Sequence, residues 1–360
     1  MTPLTNSLLH WFNKNKRSLP WRKNYLPYHV WISEIMLQQT QMDRVVSFFT
    51  NWITKFPTIE SVAMAPEDEI LKAWEGLGYY SRARNIQKCA HILVHEYGGH
   101  LPKKHDALLK LPGIGPYTAG AIMSIAFNEN YCVVDANVKR VFARLFDCDH
   151  PTTSPALKSF CTEKAAELLP ARQARNFNQA LMEFGALICL PRSPQCGSCP
   201  IAEHCQSLAN DKVMVRPVLA QKKKIIPVTV VAGVICHKGL SYIQKRLPDA
   251  AWANLWEFPG GHLEKGERPE DAVIREIREE TEFEVTDIKM LCTAQHSFTR
   301  YRYTLYAYSC KLTNSSPEPI LHAAQEYAWL PLNDLTAYAF SSGHRKLLTF
   351  LLQNRDLLVE

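Results

Sequence analysis

The sequence predicts a mainly α domain followed by a separate α/β domain, and three observations carry that reading. Apolar residues recur at three- and four-residue spacing through WISEIMLQQTQMDRVVSFF and YTAGAIMSIAF, the period of helices with one buried face. A knot of four cysteines closes this helical part at 189–205. From Val228 the pattern turns to the strand-like VTVVAGVIC, LSYIQKR and YRYTLYAYSC, broken by one charged helix, RPEDAVIREIREET.

At 360 residues the chain has room for two or three domains. Its 46% hydrophobic and 21% charged residues exclude general disorder. A net charge of +6 favours a polyanionic partner without specifying one. The opening MTPLTNSLLHWFNKNKRSLPW has no long apolar run, so neither a secretory signal nor a membrane span is expected, and the reading is a cytoplasmic, bacterial or organellar protein. Seven scattered cysteines (Cys89, Cys132, Cys148, Cys161, Cys236, Cys292 and Cys310) suit a reducing compartment. Residues 209–226 carry Lys212, Arg216, Lys222, Lys223 and Lys224 with little periodicity and read as a basic linker.

The bunched cysteines are Cys189, Cys196, Cys199 and Cys205, spaced C-x6-C-x2-C-x5-C. Thiolates are soft ligands that suit zinc or an iron–sulfur cluster. Structural zinc favours two C-x2-C pairs separated by a longer loop. One such pair inside a short, proline-bounded winding fits a cubane better than a single ion.

Upstream, LPGIG at 111–115 precedes an apolar run that starts at Pro116, a residue tolerated in a first helical turn. Gly113 and Gly115 let backbone N–H groups approach a phosphate closely at that helix start. Next comes YCVVDANVKRVFARLF, where Asp135 ends an apolar run and caps an amphipathic helix. A capping carboxylate accepts backbone N–H bonds and is expected to stay ionised.

LPGIGPYTAG, VVDANVKRV and the cysteine loop together resemble the helix–hairpin–helix DNA glycosylases that carry a [4Fe–4S] cluster. SEIMLQQTQ at 33–41 and GLGYYSRARN at 76–85 look like the MutY-type adenine glycosylases in particular. The resemblance runs from about Leu19 to Cys205. It implies a helical glycosylase region at 1–208, with a six-helix barrel over about 19–132 and a cluster subdomain built from 1–18 plus 133–208. The endonuclease III branch places a lysine where this chain has Tyr117, so a Schiff base with the sugar is not expected.

The implied reaction is hydrolysis of the adenine N-glycosidic bond in duplex DNA, opposite 8-oxoguanine or guanine, by a monomer. Adenine must be extruded from the stack, and its bond breaks with oxocarbenium character at the sugar. Glu34 sits in an apolar helix beside Trp31, Ile35 and Leu37, where partial burial raises a carboxyl pKa. The resemblance makes it the acid that protonates adenine N7. Asp135 becomes the anion that stabilises the cation, supported by Tyr117 and Asn137. Arg22 and Gln179 match positions near the adenine pocket, and Gln39 and Tyr79 match residues that wedge into the duplex.

FPGGHLEKGERPEDAVIREIREETEF at 258–283 resembles the Nudix box, with Glu282 where a final glycine is usual. This makes 227–360 a Nudix-like domain. Glu276, Glu279 and Glu280 fall on one helical face and, with Glu326, form a candidate Mg²⁺ site. HSFTRY at 296–301 resembles a loop that reads 8-oxoguanine through Phe298, Thr299 and Arg300, the last standing where a histidine is expected. Two expectations follow: a silent lesion-reading domain, or a second activity that hydrolyses 8-oxo-dGTP.

Overall fold

The structure, a computed structural model, describes residues 1–220, 224–313 and 316–358; Lys222 and Lys223 of the linker lie outside the described residues. In chain order the helices are α1 (Pro3–Asn15), α2 (Pro27–Leu37), α3 (Met42–Lys55), α4 (Ile59–Met64), α5 (Glu67–Trp74), α6 (Ser81–Tyr97), α7 (His105–Leu109), α8 (Pro116–Ala121), α9 (Ala136–Leu145), α10 (Pro155–Leu168), α11 (Ala174–Leu187) and α12 (Gln206–Ala209). The chain divides into two units, Met1–Met64 with Asn85–Lys222, and Ala65–Arg84 with Lys223–Glu360.

The first unit is helical. Proline occupies the first turn of α1, α2, α8 and α10, where its missing N–H costs nothing. Asp135 caps α9 and Ser154 caps α10, each accepting a backbone N–H. One core joins α1 to α9, α10 and α11 through Leu8, Phe12, Phe142, Leu157, Phe177 and Phe184. Helix α2 packs on α3 and α8 and is buried on nearly every side, from Val30 to Met36. The apolar run after Pro116 continues past α8 as a π-helical turn, Ile122–Ala126.

The second unit is an α/β layered fold. Its strands are β1 (Ile226–His237), β2 (Leu240–Arg246), β3 (Trp256–Glu257), β4 (Val285–Phe298), β5 (Tyr301–Leu312) and β6 (Ala324–Leu330), and its further helices are α13 (Pro269–Thr281) and α14 (Ser342–Gln353). The sheet order is β3-β2-β1-β5-β4, with β6 on β2; β1 and β5 run parallel and β4–β5 is an antiparallel hairpin. Alternate residues of β1 feed opposite faces. Ala232 and Val234 join the core beneath α14, with Phe340, Leu347 and Leu351. Val231 and Ile235 join the core beneath α13, with Val273, Ile277 and Phe283.

Candidate active site and cluster loop

Six side chains singled out in the first unit, Glu34, Tyr117, Asp135, Asn137, Arg22 and Gln179, line one cavity of about 540 Å³, and Gln39 lines it too. Glu34 is 6% exposed on α2. Burial pushes its carboxyl up to about 7; a hydrogen bond with the Tyr117 phenol and the charge of Arg22 pull down, while Asp135 adds to the rise. The phenol is itself held well above its ordinary range by burial, with Glu34 and Asp135 contributing.

Asp135 faces the same cavity from the start of α9. Its Oδ1 accepts the Val138 N–H at 2.7 Å and its Oδ2 accepts the Asn137 amide at 2.9 Å. Burial raises its carboxyl; these bonds and Arg140 work against the rise. Asn137 in turn accepts Arg140 Nη2 at 2.8 Å, and Arg140 Nε donates to the Cys189 carbonyl at 2.8 Å. The cavity therefore offers an acid poised near neutrality, a second carboxylate and room for a planar base.

Sequence reasoning missed Glu183, Arg17 and Trp21, which also line the cavity. Glu183 is 1% exposed in α11 and pairs with both Arg17 and Arg22. Its one signal in FNQALMEFGAL is an acid inside an otherwise apolar stripe, one helical turn after Gln179.

Cys189, Cys196, Cys199 and Cys205 line a small cavity of their own. Arg144, 2% exposed on α9, shapes this loop by donating to the carbonyls of Leu190 (2.6 Å) and Pro191 (3.0 Å) and to Cys189 Sγ (3.5 Å). Burial pushes the Cys199 thiol up to about 11, and the neighbouring cysteines add to that. Four thiols sharing one field, with a buried cation beside them, fit a metal cluster. Among the described residues no three His, Cys, Asp or Glu converge on a point that would hold one metal ion. A cubane presents one iron corner to each thiolate, so its ligands need not converge in that way.

Gly113 has φ +76° in the turn between α7 and α8, and a Cβ there would stand 2.8 Å from Asn85 Cβ, so both backbone and space demand glycine. Gly115 caps α8 with open space around it. Gln39, past the end of α2, takes φ +58°.

In the second unit Tyr79 has φ +49° and lays its ring 5.2 Å from that of Phe298, at the end of β4. Thr299 (φ +54°) and Arg300 form the exposed two-residue turn into β5. The candidate Mg²⁺ acids do not come together as a set. Glu276 and Glu280 line a cavity of about 270 Å³, which Glu279 and Glu326 do not. Glu276 and Glu279 share Arg275, Glu280 accepts Gln244 Nε2 and the Gly260 N–H at 2.9 Å each, and Glu326 turns to Lys245.

Comparison with known proteins agrees with this geometry. Residues 32–165 match the HhH-GPD superfamily base excision DNA repair protein family, 189–205 the iron-sulfur binding domain of endonuclease III, and 230–350 the NUDIX domain. The four cysteines all fall within the span that matches the iron-sulfur binding domain. A solved endonuclease III–DNA complex aligns with a TM-score of 0.50 at 27% identity, covering 57% of this chain and 94% of that one. An adenine DNA glycosylase of Arabidopsis thaliana is 32% identical over 418 residues, covering 98% of this chain and 66% of its own length. An adenine DNA glycosylase of Buchnera aphidicola subsp. Baizongia pistaciae is 39% identical over 255 residues, covering 70% of this chain and 72% of that protein. With that relative covered over most of its length, and the buried acid, the carboxylate and the cluster loop all in place, the chain belongs to the adenine DNA glycosylase family.

Proposed function

We propose that this chain hydrolyses the N-glycosidic bond of adenine in duplex DNA, where adenine stands opposite 8-oxoguanine or guanine, and does so as a monomer without cutting the strand. One observation carries the reading: Glu34 and Asp135 face a single cavity, the first with its carboxyl near 7. Extruded adenine enters that cavity, with Arg22 and Gln179 beside it. Glu34 delivers a proton to N7, which turns adenine into a competent leaving group. Asp135, fixed by Val138 and Asn137, stabilises the sugar cation until water adds. Gly113 and Gly115 offer backbone N–H groups to a phosphate, while Gln39 and Tyr79 enter the stack. Phe298, Thr299 and Arg300 read the opposite base. Cys189, Cys196, Cys199 and Cys205, with Arg144 beside Cys189, would hold the [4Fe–4S] cluster, which would supply a cross-link across the 189–205 loop. The test is adenine release from four duplexes carrying A opposite 8-oxoguanine, G, C or T. Release is expected opposite the first two; equal release from all four defeats the assignment.

The rate should carry an alkaline limb. Glu34 must hold its proton, its carboxyl sits near 7, and the protonated fraction falls as pH rises through that value. Single-turnover excision is therefore expected to drop about tenfold per pH unit above roughly pH 7.5. A rate flat to pH 9 contradicts a proton donated by Glu34.

Tyr117 has no amine to attack the sugar. Base release should leave an intact abasic strand that breaks only on alkali or heat, and borohydride should trap little covalent complex. Efficient trapping would mean that another amine reaches the sugar.

The second unit is assigned to reading rather than hydrolysis, because Glu279 and Glu326 stand away from the cavity that Glu276 and Glu280 line. Mg²⁺-dependent conversion of 8-oxo-dGTP to its monophosphate by the full chain, lost in Glu280→Gln, would restore the second activity.

A further inference from the structure

We infer that Glu183 is a positioning residue: it pins the Arg22 guanidinium and keeps that charge from closing on Glu34. The inference rests on the reading of Glu34 as the acid. Glu183 carries an unusually full set of partners for one carboxylate. Its Oε1 accepts the Arg17 N–H at 2.8 Å and Arg17 Nε at 2.9 Å; its Oε2 accepts Arg17 Nη2 and Arg22 Nη2 at 3.0 Å each. Arg22 is held again by its Nη1, which donates to the Arg17 carbonyl at 3.2 Å, and its guanidinium lies 5.7 Å from the Phe12 ring centre. Its Nε is buried and has no hydrogen-bond partner. Arg22 is thus clamped by its terminal nitrogens in a wall of the cavity that Glu34 also lines.

The charge balance explains why the clamp matters. The ionisable groups lining this cavity with Glu34 are Arg17, Arg22, Tyr117, Asp135 and Glu183. Burial raises the Glu183 carboxyl, but Arg17 and Arg22 overcome it and hold it near 2, so it stays charged throughout the working range. With Glu183 charged, two guanidiniums face one carboxylate that already claims both. Without it, two half-buried cations remain, and Glu34 is a carboxylate lining the same cavity. A cation moving onto Glu34 favours its ionised form and strips the proton at lower pH. The positive charge of Arg22 in the pocket wall would then oppose the acid.

The experiment is single-turnover adenine excision against pH for the parent, Glu183→Gln and Arg17→Gln. Glu183→Gln keeps shape and removes charge; its alkaline limb is expected to fall by about one pH unit, a roughly tenfold loss at pH 8, with the acid side little changed. Arg17 is 30% exposed, and its backbone N–H bond to Glu183 survives replacement of the side chain. Arg17→Gln removes a cation while Glu183 still holds Arg22, so its limb stays or rises. An equal loss at every pH in Glu183→Gln marks a merely structural role and overturns the inference. So does a downward limb in Arg17→Gln, which decides alone if Glu183→Gln does not fold. A parent without any alkaline limb refutes the role of Glu34 itself and takes this inference with it.

Discussion

Glu34→Gln is expected to abolish adenine release while duplex binding stays within a few-fold of the parent. Gln matches Glu in shape and keeps a partner for the Tyr117 phenol, but it has no proton to give. Positioned general acids contribute roughly 100- to 10,000-fold, and the loss should fall at the upper end, because adenine departs poorly unless protonated. The same substitution should stabilise the fold at alkaline pH. Glu34 is raised from an ordinary 4.5 to about 7 by burial, so the folded state binds its proton more tightly than the unfolded state does. That advantage is complete below 4.5 and is lost as pH rises through 7. Between pH 4 and pH 8 the group costs about 3 kcal/mol of stability, an order-of-magnitude figure. A Gln side chain does not titrate, so the variant's melting temperature should exceed the parent's increasingly from pH 5 to pH 8. Near-normal single-turnover excision by Glu34→Gln would remove Glu34 from the chemistry. A melting advantage that does not grow with pH would show that Glu34 is not held in a desolvated state.

The parts of this site legible in the sequence are those with local causes. A turn that needs a left-handed residue shows itself as Gly113 in LPGIG, and a capping carboxylate shows itself as Asp135 ahead of an amphipathic run. Glu34 stands out because a charge at the centre of an apolar helix requires explanation. What stayed hidden depends on distant partners. Glu183 meets Arg17 and Arg22, 166 and 161 residues away, and no periodicity connects them. The segment Ala65–Arg84 groups with the C-terminal strands, where Glu75 accepts the Phe340 N–H at 2.8 Å and the Tyr80 hydroxyl donates to the Phe340 carbonyl at 3.0 Å. Strand β4 escaped notice because its pairing shifts register twice, between Thr286 and Lys289 and between Met290 and Cys292, which breaks the alternation that marks a strand. Helical spacing does align Glu276, Glu279 and Glu280, yet Arg275 and Gln244 take up their oxygens. Periodicity says which residues share a face and nothing about who else reaches it.

Asp135→Asn is expected to cost about 100- to 1,000-fold in the chemical step, the scale seen when a fixed electrostatic stabiliser is removed, while the helix it caps survives. Asparagine caps a helix about as well as aspartate, so the bond from the Val138 N–H can be kept. The bond from the Asn137 amide is different. It now meets either an amide nitrogen or an oxygen already engaged, and one hydrogen bond worth about 1 kcal/mol is strained or lost. Two separate readouts follow. Melting temperature should fall by only a few degrees, whereas single-turnover excision should collapse at every pH, since the missing charge cannot be restored by titration. The pH profile separates this from the Glu34 defect: residual excision in Asp135→Asn should keep the alkaline limb near 7, because Glu34 still carries its proton there. That limb should shift slightly downward, as the negative charge of Asp135 helps to hold the Glu34 proton. A variant that melts far below the parent, or whose excision recovers at one end of the pH range, would make Asp135 a structural cap rather than the anion facing the sugar.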